Sequence, residues 1–175
     1  MTPWLVDTGV LAILARYLYR FPSAWAHPTG DVVPIHVSEW VAFEARGKPS
    51  PGAPPSPESD ALLRRTACCT IHPVMVPSPT WDVVERLTPH GSINRGEAEL
   101  IALAATTVPA GCLVTLDEKA SYTALVELGP GRVASPFDFF HALIHEHGLH
   151  PDAWPALCRF VQGYTIPLRL APPPA

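Results

Sequence analysis

Residues 112–116, Cys-Leu-Val-Thr-Leu, make a short run without a distinct polar face that stops at Asp117 and passes directly into a helix-forming stretch. A strand that is apolar on both faces needs cover on both, which is the situation of a strand inside a parallel sheet sandwiched by helices. Trp4-Leu5-Val6 repeats the arrangement near the N-terminus, ending at Asp7 before an apolar stretch of helical length over 10–18. The rest of the chain alternates in the same sense. Strands are predicted at 32–37, 71–76 and 132–134. Helices are predicted at 39–46, where Ser38 caps and Gly47 terminates, at 58–66, and at 78–87 behind a Ser78-Pro79 start. A nearly all-apolar helix over 98–105 opens with the Asn94 to Glu97 spacing of a capping box. Three more are expected at 118–128, at 137–146, closed by Gly148, and from Pro151-Asp152 to Val161. Such alternation specifies an α/β fold of three layers, a mainly parallel central sheet flanked by helices. Only 32–37 reads poorly as a central strand, because Pro34 interrupts it.

Composition sets the bounds on this reading. Apolar residues make up 47% of the 175 and charged residues 16%, enough core material for a single domain over 1–170 and too little charge for a disordered chain. The 22 prolines cluster, and the densest stretch, 48–57, excludes helix and reads as an insertion loop, while 171–175 reads as a loose tail. A formal charge of −4 gives no general attraction for nucleic acid, so a polyanion would need a local site, such as one built around a metal. There is no basic leader and no run of 18 apolar residues, which points to a soluble cytoplasmic protein without signal peptide or membrane span. Cys68, Cys69, Cys112 and Cys158 show no CxxC spacing and are expected as reduced, inert thiols.

In an open parallel sheet, ligands gather at the carboxyl ends of the strands, and Asp7 and Asp117 both fall there. Glu44 and Glu99 lie in helices whose neighbours are apolar, where an unpaired carboxylate is costly. A divalent cation would compensate several such groups together, and hard oxygen donors without Cys or His select Mg²⁺ or Mn²⁺. The corresponding chemistry is metal-assisted hydrolysis of a phosphodiester. Each acid also has a bland explanation, since Asp7, Glu97 and Asp117 are all placed to cap helices, and only their joint placement favours a site.

At these residues the chain resembles a known family. Leu5-Val6-Asp7-Thr8-Gly9-Val10-Leu11 is similar to the first strand and turn of PIN-domain ribonucleases, Ser38-Glu39-Trp40-Val41-Ala42-Phe43-Glu44 to their first-helix glutamate segment, and Gly96-Glu97-Ala98-Glu99-Leu100-Ile101-Ala102-Leu103-Ala104 to their third acidic segment. Val114-Thr115-Leu116-Asp117 with Lys119-Ala120 resembles the fourth, and Val133-Ala134-Ser135 with Phe139 to Leu149 the closing strand and helices. The resemblance implies a PIN-like fold, an endoribonuclease using Mg²⁺ or Mn²⁺, RNA as substrate, homodimerisation and, as in many bacterial members, a toxin neutralised by an antitoxin protein. It carries catalysis and metal binding onto Asp7, Glu44, Glu99 and Asp117, with Glu39 as the alternative to Glu44 in a shifted helix register. Thr8, Thr115 and Glu97 are supporting candidates, and Arg16, Arg46, Arg95 and Lys119 are candidates for binding phosphate. Two positions depart from the family pattern: Gly9 replaces a small polar residue, and Leu116 stands where Asn or Asp is common. The rival expectation is a catalytically inactive PIN-fold module acting through protein or RNA partners.

Other features carry less. His141, His145, His147 and His150 cluster near the C-terminus, the first two at helical spacing, but HExxH is absent and core or surface roles are expected. No phosphate-binding glycine loop and no nucleophile elbow is present.

Overall fold

The computed structural model describes residues 2–47, 56–90 and 93–163. The Pro-rich stretch expected as an insertion lies outside the described residues except for its last two positions, Ser56 and Pro57, as does the tail 171–175. Five strands, β1 (Trp4–Val6), β2 (Ile35–Ser38), β3 (Cys69–His72), β4 (Cys112–Val114) and β5 (Val133–Ala134), form one all-parallel sheet in the order β3-β2-β1-β4-β5. The α-helices among the described residues are α1 (Thr8–Arg20), α2 (Glu39–Ala45), α3 (Pro57–Leu63), α4 (Pro79–Leu87), α5 (Arg95–Thr106), α6 (Glu118–Leu128), α7 (Pro136–His147) and α8 (Ala153–Gln162). They flank the sheet to give the three-layer α/β architecture. Helix α1 packs with α3 and α8, α5 packs with α4 and α6, and α2 touches both α1 and α5. None of the described helices is long and apolar enough to cross a membrane.

Local chemistry explains the boundaries. Ser38, Ser78, Asn94, Asp117 and Ser135 each accept a hydrogen bond from the backbone N–H three residues on, and Asn94 and Ser135 complete reciprocal capping boxes with Glu97 and Asp138. Gly148, in the left-handed conformation at φ 76°, ends α7. The doubtful strand at 32–37 is an interior one, β2, and it escapes the proline problem by starting at Ile35. Pro34 needs only to accept, and its carbonyl takes the N–H of Trp4 at 2.8 Å. The third strand lies earlier than 71–76, over Cys69–His72, because Pro73 removes the donor that a longer ladder would need.

Strand β1 is wholly buried, and so is β4 beside it, in keeping with their unbroken apolar sequences. The turn into β4 leaves no room for a side chain at Gly111: an added Cβ would strike Leu5 and come within 2.9 Å of the Val108 carbonyl oxygen. Gly111→Ala is therefore expected to destabilise the fold by about 1–3 kcal/mol, the usual cost of overpacking, measured by denaturant unfolding. A change within about 0.5 kcal/mol would contradict that close approach.

Candidate active site

With β1 central, the chain runs outward in one direction through β2 and β3 and in the other through β4 and β5. The carboxyl ends of β1 and β4 thus border the crevice where the strand order reverses. Asp7 leaves β1 there. Its backbone N–H donates to the Val114 carbonyl at 3.0 Å, and the Thr115 hydroxyl donates to its Oδ2 at 3.0 Å, tying the two strand ends together. Although Asp7 stands at the N-cap position of α1, its side chain makes no cap hydrogen bond. Its carboxyl is held above the usual aspartate value, chiefly because burial removes water, with Thr115 and the nearby amides of Thr8, Leu116 and Gly9 opposing the shift.

Glu44 is clamped at both oxygens. The Thr8 hydroxyl donates to Oε2 and the Trp40 indole N–H to Oε1, each at 3.1 Å. Helix α5 comes so close to this carboxylate that a Cβ on Gly96 would lie 3.1 Å from Oε2. Glu97 follows on that helix, buried, with Oε2 accepting the Asn94 N–H at 2.9 Å. Its carboxyl is pushed up to about 7, first by burial and then by the charges of Asp117, Asp7 and Glu44, against the lowering effect of the Asn94 amide. Asp117 is exposed at the crevice rim, where Oδ1 accepts the Ala120 N–H at 2.8 Å and Thr115 accepts its own N–H at 3.0 Å. Asp7, Glu44, Glu97 and Asp117 thus form one electrostatic cluster, and among the described residues none of them has an ion-pair partner.

Glu99, expected as a ligand, is placed elsewhere. Residues two apart on an α-helix lie about 200° apart around its axis, so Glu97 and Glu99 cannot face the same crevice. Glu99 is 1% exposed, and Oε1 accepts from Arg95 Nε at 2.8 Å in an ion pair. Glu39, the alternative to Glu44, is exposed on the first turn of α2 and lines a cleft with Glu99 and Arg95. Two of the four phosphate-binding candidates are engaged already, Arg95 by Glu99 and Arg46 by Asp60 at 3.1 Å. Lys119 is exposed two residues beyond Asp117, and Arg16 is exposed on α1.

The two departures from the family pattern occupy the same space. A Cβ on Gly9 would lie 3.2 Å from Leu116 Cδ1 and 3.9 Å from Asp7 Oδ2, so Leu116 takes the place of a side chain at position 9. The histidines near the C-terminus divide among separate roles. His141 and His145 rings lie 4.1 Å apart, His147 is buried, and His150 Nδ1 is 3.6 Å from Asp152. His36 and His72 carry no motif in the sequence, yet their Nδ1 and Nε2 meet at 2.8 Å across β2 and β3. All four cysteines are free and buried, and burial pushes Cys69 up to about 12, far from a reactive thiolate.

Among the described residues no three His, Cys, Asp or Glu side chains form a ready-made metal shell. Mg²⁺ does not require one, since it keeps several waters and is commonly held through one or two carboxylates. The oxygen-only donors and the uncompensated charge of the cluster therefore fit a hard divalent cation. The chain matches no family model, no curated protein and no solved structure.

The raised Glu97 carboxyl has a consequence for stability. A proton bound more tightly in the folded than in the unfolded state stabilises the fold below the unfolded value, near 4.5, and that contribution is lost as pH climbs through about 7. At about 1.4 kcal/mol per unit, the loss amounts to about 3–4 kcal/mol. His36, His72 and His147 are pushed down by burial and act in the opposite sense, gaining stability as pH rises toward their unfolded value of 6.5. The measurement is therefore a difference: without divalent metal, wild type should lose melting temperature relative to Glu97→Gln from about pH 5 to pH 8. Parallel profiles would show that Glu97 does not hold its proton abnormally.

Proposed function

We propose that this chain is a metal-dependent endoribonuclease of the PIN type that hydrolyses RNA phosphodiester bonds at the edge shared by β1 and β4. The observation that carries the reading is the convergence of four acids without an ion-pair partner among the described residues: Thr115 links Asp7 to Asp117, Thr8 beside Asp7 holds Glu44, and Gly96 beside Glu97 approaches the Glu44 carboxylate. Mg²⁺ or Mn²⁺ bound there would polarise the phosphate and lower the pKa of the attacking water. The residues themselves hold and orient. Thr115 fixes one oxygen of the Asp7 carboxylate, Thr8 and Trp40 fix both oxygens of Glu44, and the capping bonds of Glu97 and Asp117 orient one oxygen of each. Lys119, exposed beside Asp117, is available for a phosphate of the substrate.

The spacing of the donors favours a second reading, a PIN-fold module that binds partners without cutting RNA. Metal binding and cleavage separate the two. The wild-type protein should bind Mn²⁺ in calorimetry and cut mixed RNA. Asp7→Asn and Glu97→Gln should each lose about a hundredfold or more in cleavage. Glu99→Gln should keep its Mn²⁺ affinity, since that carboxylate is turned to Arg95. Absence of Mn²⁺ binding at millimolar concentration together with intact RNA would remove the nuclease reading. Equal activity in Asp7→Asn would assign the cleavage to a contaminant.

A further inference from the structure

Beside the carboxylate cluster lies a second feature that hydrolysis alone does not use, a cleft of about 320 Å³ lined by Glu39, Trp40, Phe43, Val74, Arg95 and Glu99. We propose that it binds a nucleobase carrying an exocyclic amino group, adjacent in a single-stranded RNA to the phosphodiester held at the carboxylates. The proposal rests on the ribonuclease reading and names the part of the substrate that the site selects.

Its position supports this first. Trp40 belongs to both features, since its ring lines the cleft while its N–H holds Glu44 Oε1. An occupant of the cleft is therefore one side chain away from the proposed point of cleavage. Its surfaces come second. Phe43 is 39% exposed, its ring 5.6 Å from that of Trp40, and Val74 adds an apolar wall. A flat aromatic ligand removes such surface from water whatever its sequence.

The polar groups define what kind of ring. Two carboxylates and one guanidinium line the cleft, a balance that repels a phosphate and suits a neutral base. Arg95 is fixed in place, with Nε on Glu99 and its guanidinium 4.2 Å from the Trp40 ring centroid and 5.6 Å from that of Trp81. Its terminal nitrogens make no hydrogen bond among the described residues, which leaves donors for a ring nitrogen or carbonyl. Glu39 is exposed where it lines the cleft and makes no side-chain hydrogen bond among those residues, and carboxylates only accept. Adenine, cytosine and guanine present amino donors to such acceptors. Uracil presents a carbonyl where cytosine carries its amino group, and a carbonyl facing a carboxylate leaves both acceptors unsatisfied.

The test uses the full chain in EDTA, so that neither metal nor cleavage enters, with adenosine, cytidine and uridine titrated against tryptophan fluorescence. Adenosine and cytidine should quench saturably, with uridine about tenfold weaker or more. Phe43→Ala, a truncation at an exposed position, should weaken adenosine by about tenfold, and Glu39→Gln should narrow the preference over uridine. Uridine binding as well as adenosine, no saturable quenching, or unchanged affinity in Phe43→Ala would each overturn the assignment. Adenosine binding by a protein that neither takes up Mn²⁺ nor cuts RNA would refute the nuclease reading and leave the base site standing.

Discussion

Parallel pairing of β1 with β2 on one side and β4 on the other is the constraint on which the site depends. It forces three carboxyl ends to one edge, and each strand end delivers polar residues there: Asp7 after β1, Ser38 at the end of β2 with the helix bearing Glu44 behind it, Thr115 and Asp117 after β4. Helix α5 then lowers its N-terminus onto the same edge, which Gly96 permits by having no side chain to collide with Glu44. Four acids far apart in the chain are thereby packed into a region where water cannot fully screen them. The fold carries that repulsion beside solvent, which reaches Asp117 at the rim.

Much of this was legible in the sequence, for identifiable reasons. Runs without a polar face, as in Cys112–Val114, can only be covered strands, and side-chain caps at Ser38, Ser78, Asn94 and Ser135 mark helix starts by a local mechanism that tertiary context did not override. What the sequence left illegible is of a different kind. Pro34 reads as a break although only its N–H is missing, and a strand that begins one residue later never needs it. The choice between Glu97 and Glu99 turned on which side of one helix faces the crevice, and a helix apolar nearly all round offers no stripe from which to read that rotation. The pairing of His36 with His72 depends on the register between β2 and β3, which the composition of neither strand specifies.

The competing explanations for the acids, capping and metal binding, turn out to be compatible at the level of single oxygens. Glu97 gives Oε2 to the Asn94 amide, and Asp117 gives Oδ1 to the Ala120 amide. The second oxygen of each has no hydrogen-bond partner among the described residues and is not sealed from solvent. A capping bond therefore does not consume such a carboxylate; it fixes the rotamer and leaves one acceptor aimed by the backbone. Orientation obtained this way costs no extra side-chain entropy when a ligand arrives, because the ordering accompanies formation of the helix itself.

The same logic separates the two glutamates of α5. Glu97 is oriented by a neutral amide, which lowers its proton affinity only in part and leaves its charge uncompensated, so it remains sensitive to the neighbouring acids. Glu99 is oriented by a guanidinium, and its charge is neutralised where it stands. A cation gains most at the first kind of carboxylate and little at the second, where it must displace or crowd Arg95. One helix thus presents an electrostatically unsatisfied acid to the crevice and a satisfied one to the aromatic cleft. That division of labour follows from a two-residue spacing and the helical repeat, before any appeal to what the protein acts on.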